Sequence, residues 1–241
     1  MNLARLARVL LASAKARNVN GLVYQLRRRF HSDGLQYGLR RDLAEPFEAP
    51  DAKIPLTIRA MRQSDVTILL ETDTQQMSER GSYVRMQRLD FLREGIGQCY
   101  VAATNSDEPC YMQCLLTSAD NSRIQRYFNG GFPTLAADEA LIEYAFTPEG
   151  QQGQGIMPAA MARIAEKAAD LGARRVITFV DHENVPALKG CQRSGFRPYL
   201  IRNDRWLLFR RRVSYQPLPA GARFPFDTET ASSAEGPHRV S

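Results

Sequence analysis

Apolar and polar positions change period repeatedly along the middle of the chain, and each change predicts an element. Leu56 to Met61 reads as a strand, and Ser64 with Asp65 starts a helix in the capping manner. A second helix is expected over Tyr83 to Glu94, with Val84, Leu89, Phe91 and Leu92 on its apolar positions. Residues 98–104 and 110–117, separated by Asn105, Ser106 and Asp107, predict a hairpin, and residues 140–147 a fourth strand. After a glycine-rich turn, Met157, Met161, Ile164, Ala165, Ala168 and Leu171 follow a helical period, and Arg175 to Val180 predicts a fifth strand. Alternation of this kind predicts an α/β or α+β fold, a sheet with helices on its faces.

The two ends differ from this middle. Leu3, Leu6, Val9 and Leu10, then Leu22, Leu26 and Phe30, fall at spacings of three and four with Arg and Lys between them, which predicts two amphipathic helical segments. Leu43 to Pro55 reads as a linker, and residues 216–241, with Pro217, Pro219, Pro225 and Pro237 among Ser, Thr and Gly, as a disordered tail. The organisation expected is a basic helical extension and linker over 1–52, one domain over 53–215, and the tail over 216–241.

Composition narrows the class. With 241 residues, 44% of them hydrophobic, the chain can bury one sizeable core. Four cysteines (Cys99, Cys110, Cys114, Cys191) include no C-x-x-C pair, and three histidines (His31, His182, His238) form no zinc-ligand spacing, so no metal is expected. Reduced thiols and a cytoplasmic, soluble protein are expected, since no apolar run approaches the roughly 18 residues of a membrane span.

Charge is unevenly placed. Residues 1–32 hold Arg5, Arg8, Lys15, Arg17, Arg27, Arg28 and Arg29 and no acid, so of the net +6 this segment carries +7 and the rest −1. Nucleic acid is not expected as a partner, because a binding face would spread its basic charge. Three uses of the basic end stay open: packing on its own domain or on a second subunit as a homodimer, peripheral contact with an anionic membrane, and a mitochondrial presequence.

The candidate chemistry lies in Pro148-Glu-Gly-Gln-Gln-Gly-Gln-Gly-Ile-Met-Pro158, a strand, a glycine turn and a helix start. Glycines let the backbone turn so that the free amides of a helix N-terminus point outward, and such a site holds phosphate or pyrophosphate. A nucleotide P-loop would end in Gly-Lys-Ser/Thr, and a dinucleotide fingerprint would place glycine at 158, where proline stands.

Gln152-Gly-Gln-Gly155 resembles the Arg/Gln-x-x-Gly-x-Gly/Ala pyrophosphate loop of the GNAT (GCN5-related N-acetyltransferase) superfamily. Downstream, the strand Arg175 to Val180, then Asn184-Val-Pro-Ala187, then Gly195-Phe196, is similar to that family's strand, Asn-x-x-Ala helix and Gly-Phe turn. The resemblance covers about residues 53–212. It implies a mixed sheet splayed between its fourth and fifth strands, with acetyl-CoA or another acyl-CoA in the gap and a small-molecule amine as acceptor. Backbone groups at Ala145, Phe146 and Thr147 would pair with the pantetheine arm. Gln152, Gly153, Gln154, Gly155, Ile156 and Met157 would hold the pyrophosphate, and Asn184 completes the cofactor-binding set.

Two positions depart from the family pattern. Met157 ends the loop where Gly or Ala is common. Cys191 stands where many members place the tyrosine that protonates the departing thiolate; it reads either as a small buried residue or as an acid or covalent relay. Glu143, three residues before Phe146, is the candidate base, with Glu139, Tyr144 and His182 behind it. Residues 118–138, with Asn121, Arg123, Arg126, Tyr127, Phe128 and Gly130-Gly131, read as an insertion that shapes an acceptor pocket or as an ordinary surface helix. Three functions follow: an N-acyltransferase acting on a small amine or amino sugar, a long-chain acyltransferase at a membrane surface, and a non-catalytic cofactor-binding module.

Overall fold

In the computed structural model, which describes residue 27, residues 29–71 and residues 79–227, the chain enters the sheet through a strand, β1 (His31–Asp42). There follow β2 (Thr57–Ala60), the short helix α1 (Gln63–Val66) running into a π-type turn over Thr67–Glu71, and α2 (Glu79–Glu94). Next come β3 (Gln98–Ala103), β4 (Pro109–Thr117), α3 (Asn121–Phe128), β5 (Glu139–Phe146) and α4 (Ile156–Glu166). The last elements are β6 (Arg175–Asp181), α5 (Val185–Arg193), β7 (Arg197–Leu207) and β8 (Arg210–Pro217). The strands form one eight-stranded sheet in the order β2-β3-β4-β5-β6-β1-β7-β8. Only β5 and β6 pair in parallel; the other neighbours are antiparallel.

Side chains alternate across a strand, so the sheet divides two core layers. Ala140, Ile142 and Val176 face α4 and α5 through Ile156, Ala160, Met161, Ile164, Leu188 and Cys191. Leu141, Ile177 and Phe179 face the opposite way, toward Phe91 of α2 and Ile124 and Tyr127 of α3. The mixed sheet with flanking helices agrees with the expected fold class.

The largest departure from the expected organisation is β1. It lies inside the segment read as extension and linker, yet it pairs with both β6 and β7 in the middle of the sheet. Arg40, Arg41 and Asp42 hide its alternation. Arg41 is buried nonetheless, because its guanidinium donates to the Ala162 carbonyl at 3.0 Å and to Glu166 at 2.9 Å and stacks over Phe47. A buried cation is tolerable when hydrogen bonds and an opposite charge replace its water. Gly38 is needed here: a Cβ would come within 2.5 Å of Leu200 Cδ1.

Two further expectations change. Phe224 is buried and Phe226 packs beside it on the α4–α5 layer, so the tail expected to be disordered contributes to the core up to Asp227. Cys99 and Cys114 oppose each other on β3 and β4 and are joined as a disulfide, against the expectation of four reduced thiols; Cys110 and Cys191 are free and buried. Of the helical segments expected up to Phe30, all but residues 27, 29 and 30 lie outside the described residues, as does the tail from 228 to 241.

Because β1 supplies ladder partners to two strands and Leu39 is fully buried, a fragment starting at residue 53 is expected to show no cooperative thermal unfolding by circular dichroism. In the full chain, Leu39→Ala should cost about 2–5 kcal/mol. A fragment that melts cooperatively near the full chain's midpoint would make β1 an accessory strand.

Candidate active site

β5 and β6 pair only at Glu139–Arg175, Ala140–Val176 and Leu141–Ile177, and then part. The parting has a local cause in β5. Glu143 sits opposite Cys114 and Phe146 opposite Met112, so Tyr144 and Ala145 bulge where one residue would be paired. Tyr144 takes φ 61°, a left-handed conformation that costs energy for any residue with a Cβ. A bulge bends its strand and re-aims the neighbouring groups. Where the main-chain ladder stops, the Phe179 N–H donates instead to the Glu143 carboxylate at 3.2 Å.

The chain leaves β5 through Pro148 and a 3₁₀ turn over Glu149–Gln151, and reaches α4 through Gly153 (φ 75°) and Gly155 (φ 74°). Both glycines are in the left-handed region, and Gly155 is the N-cap of α4. A Cβ on Gly153 would touch nothing within 4 Å, so this side of the turn is open. The other side is fastened: Lys53 N–H donates to the Gln154 carbonyl at 2.8 Å. Met157 turns its side chain inward, where its Sδ would lie 2.4 Å from a Cβ on Gly190. The loop is therefore open on one side and supported on the other at the N-terminus of α4, a setting that fits a pyrophosphate.

On the α2–α3 side of the sheet lies a cavity of about 300 Å³, within the size range of small-molecule sites. Part of its lining is aromatic: Phe128 meets Phe132 at 4.4 Å, and Tyr144 and Tyr127 pack on the buried Phe91 behind them at 4.4 Å and 5.2 Å. Its polar groups include Asp90, Glu143, Arg202, Asp204 and Arg211. Arg211 grips Asp204 and donates to the Phe128 carbonyl at 2.6 Å, while Arg202 donates to the Gly131 carbonyl at 2.7 Å. Two strand arginines thus hold the loop after α3 in place. Burial pushes the Glu143 carboxyl up to about 7, against the opposing pull of Arg202, the Phe179 and Tyr144 amides and Arg88.

The family model for the Acetyltransferase (GNAT) domain matches residues 56–197, more than half of the chain. The chain belongs to the GNAT acetyltransferase family. Among solved structures it is similar to an acetyltransferase of the GNAT family from Colwellia psychrerythraea (12% identity over 82% of this chain and 62% of that one, TM-score 0.44). A GCN5-related N-acetyltransferase from Sphaerobacter thermophilus is comparable (12% identity, 84% and 57% covered, TM-score 0.44). A GCN5-related glucosamine N-acetyltransferase region of a fungal multi-domain beta-N-acetylglucosaminidase superposes with TM-score 0.53 (13% identity, 80% and 22% covered), a likeness of fold. The chain spans about three fifths of the length of the first structures it matches. No curated protein matches it in sequence.

In this GNAT frame the splay expected between the fourth and fifth strands is found between β5 and β6, the count being raised by β1. Glu143 and Tyr144 line the cavity. Glu139 sits at the paired start of β5 and His182 is exposed beyond β6, with Nδ1 3.1 Å from the Leu35 carbonyl, so neither is among the lining residues. Asn184 caps α5, its side chain accepting the Ala187 N–H at 3.3 Å. The Gln152 side chain reaches back toward the Thr147 carbonyl at 3.5 Å and Gln154 contacts Gln151 at 3.0 Å. Cys191, read from sequence as either a small buried residue or an acid or relay, lies apart from the cavity. It is fully buried in the α4–α5 layer with Sγ 3.7 Å from Met161 Sδ, across the sheet from the cavity, and burial, with Glu143 behind it, pushes its thiol far up. A thiol held so firmly in its protonated form, with no surface, fits the small apolar reading.

Arg88 and Arg202 have no place in the sequence-based list. Arg88 donates to the Ala145 carbonyl and lies 5.3 Å over the Phe146 ring, so it covers the edge of β5 beyond the bulge; burial brings its pKa down to about 10. The one signal in sequence is Arg85 and Arg88 three apart on α2, a common helix surface pattern. Arg202 carries no local signal, since it stands among other charged residues of β7.

Gly155→Val is expected to cost about 1–2 kcal/mol through its left-handed backbone and to weaken coenzyme A binding about tenfold. A thermal shift titration measures both, and unchanged binding would remove the loop from the cofactor site.

Proposed function

We propose that the protein is an acyl-CoA-dependent N-acyltransferase that moves an acetyl group from acetyl-CoA to a small-molecule amine held in the cavity over Glu143. The observation that carries this reading is the position of Glu143, which is at once on the cavity wall and at the point where β5 and β6 part. Family membership supplies the reaction class; amino sugars are within the acceptor range considered.

Bound acyl-CoA would supply an activated thioester carbonyl. The amides from Gly153 to Met157 hold its pyrophosphate through the field at the start of α4, and the backbone at Ala145 to Thr147 aligns the pantetheine arm along β5. The amine must be neutral to attack, and a free alkylammonium has a pKa of about 10. Glu143 accepts that proton, and Arg202 lining the same cavity favours its loss, because a positive neighbour disfavours a second cation. The aromatic rings in the lining fix the acceptor's approach. Cys191 and Met157, the departures that motivated a non-catalytic reading, both serve packing, so neither speaks against turnover.

No helix among the described residues is long and apolar enough to cross a membrane. The segment that would touch lipid in the long-chain reading, residues 1–32, lies almost wholly outside them.

Acetyl-CoA is expected to raise the melting midpoint with concentration; a flat response to acetyl-CoA and to a long-chain acyl-CoA would overturn the assignment. Glu143→Gln should lower kcat/KM by about 10²–10⁴. In the wild type the active form is the ionised carboxylate, so kcat/KM should rise with pH, close to tenfold per unit below about 7, and level off above it. The variant should lose that limb; a variant that keeps it places the base elsewhere.

A further inference from the structure

Arg202 is a buried cation with no salt-bridge partner among the described residues. It is 5% exposed, its guanidinium lies between the rings of Phe132 (4.7 Å) and Phe179 (4.9 Å), and its Nε makes no hydrogen bond. Glu143 and Asp204 act on it electrostatically, but among the described residues it forms no salt bridge with either. Asp204 is already bound by Arg211, Nε to Oδ1 at 2.8 Å. Glu143 is the proton acceptor in the reading above, and each time it holds a proton, Asp204, already held by Arg211, is what remains to offset the positive charge of Arg202. Burying an unpaired charge is costly, and removal of that cost is what a complementary ligand contributes.

We propose that the amine acceptor carries a carboxylate close to its amino group, as an amino acid does, with the carboxylate against Arg202 and the amine at Glu143. The inference rests on the acyl-transfer reading and adds the acceptor's charge to it. Both residues line one cavity, and both are fixed from behind: Arg202 by the Gly131 carbonyl, Glu143 by the Phe179 amide. The aromatic rings in the lining and the size of the cavity suit an amino acid with an apolar or aromatic side chain. Arginine binds carboxylate with a planar fork that lysine lacks, so the identity of this residue matters as well as its charge.

The test compares matched pairs on the full chain: phenylalanine with 2-phenylethylamine, tryptophan with tryptamine, leucine with isoamylamine. Thermal shift gives binding with and without acetyl-CoA, and thiol release gives turnover. The amino acid of at least one pair is expected to bind and to react about tenfold or more better than its decarboxylated partner, a difference of about 1.4 kcal/mol. Arg202→Gln and Arg202→Lys should both shrink that ratio. The wild-type comparison stands alone if neither variant folds. Equal or better reaction of the plain amines overturns the assignment and leaves acyl transfer intact. So does bound acetyl-CoA that no amino acid in the panel consumes. A preference for succinyl-CoA over acetyl-CoA with plain amines would put the carboxylate on the acyl group and also overturn it. Failure of acetyl-CoA to bind at all is the separate result that removes the acyl-transfer reading.

Discussion

The site depends on one place where a sheet stops being a sheet. Parallel strands β5 and β6 share their ladder only as far as Leu141 and Ile177, because β5 bulges at Tyr144 and Ala145. A strand interior that loses its partner leaves amides without acceptors, and a buried amide without an acceptor is expensive. The Glu143 carboxylate takes the Phe179 amide at that point. The same side chain thus closes the end of the ladder and stands at the cavity, so the raised carboxyl that suits it to accept a proton is a consequence of where the strands divide. The left-handed Tyr144 is the energetic cost of the arrangement, and it is held there by stacking on Phe91.

Much of the fold can be read from local pattern, because most elements follow their own sequence rules. β2 to β6 and the helices α1, α2 and α4 lie where the sequence pattern predicts them, with ends moved by a few residues, α5 lies where the family resemblance implies a helix, and the glycine turn introduces α4 as its composition demands. β1 escapes for a physical reason. Buried and exposed positions alternate from Leu39 to Asp42, but the buried one at Arg41 is an arginine, made acceptable by a carbonyl and a carboxylate from α4, more than a hundred residues away in the chain. Phe224 is similar: the prolines around it suggest disorder, and only the surface formed by α4 and α5 gives the ring somewhere to go.

The candidate site divides along the same line. The loop is legible because its function is carried by backbone and by glycine, which leave a trace in sequence whatever the neighbours are. Glu143 is legible only through its spacing from the strand end. Arg88, Arg202 and the Asp204–Arg211 pair are assembled from α2, β7 and β8 by the sheet order, and no spacing along the chain brings them together. Cys191 shows the converse. Its position in the chain matches a catalytic one in relatives of the family pattern, but the packing of α5 on α4 turns its thiol into the core.

Buried charge separates the structural residues from those open to a ligand. Arg41 and Arg211 are also cations in or near the core, and each has a carboxylate and a carbonyl close by. Their burial is compensated within the fold, so they fix elements in place: Arg41 joins β1 to α4, and Arg211 joins β8 to the end of α3. Arg202 has a carbonyl and two aromatic faces but, among the described residues, no carboxylate in a salt bridge with it. A protein that needed only a brace between β7 and the loop after α3 could use the arrangement it already has at Arg211. The incomplete pairing of Arg202, in a cavity it shares with a carboxyl that titrates near neutrality, makes sense when part of the counter-charge arrives from outside.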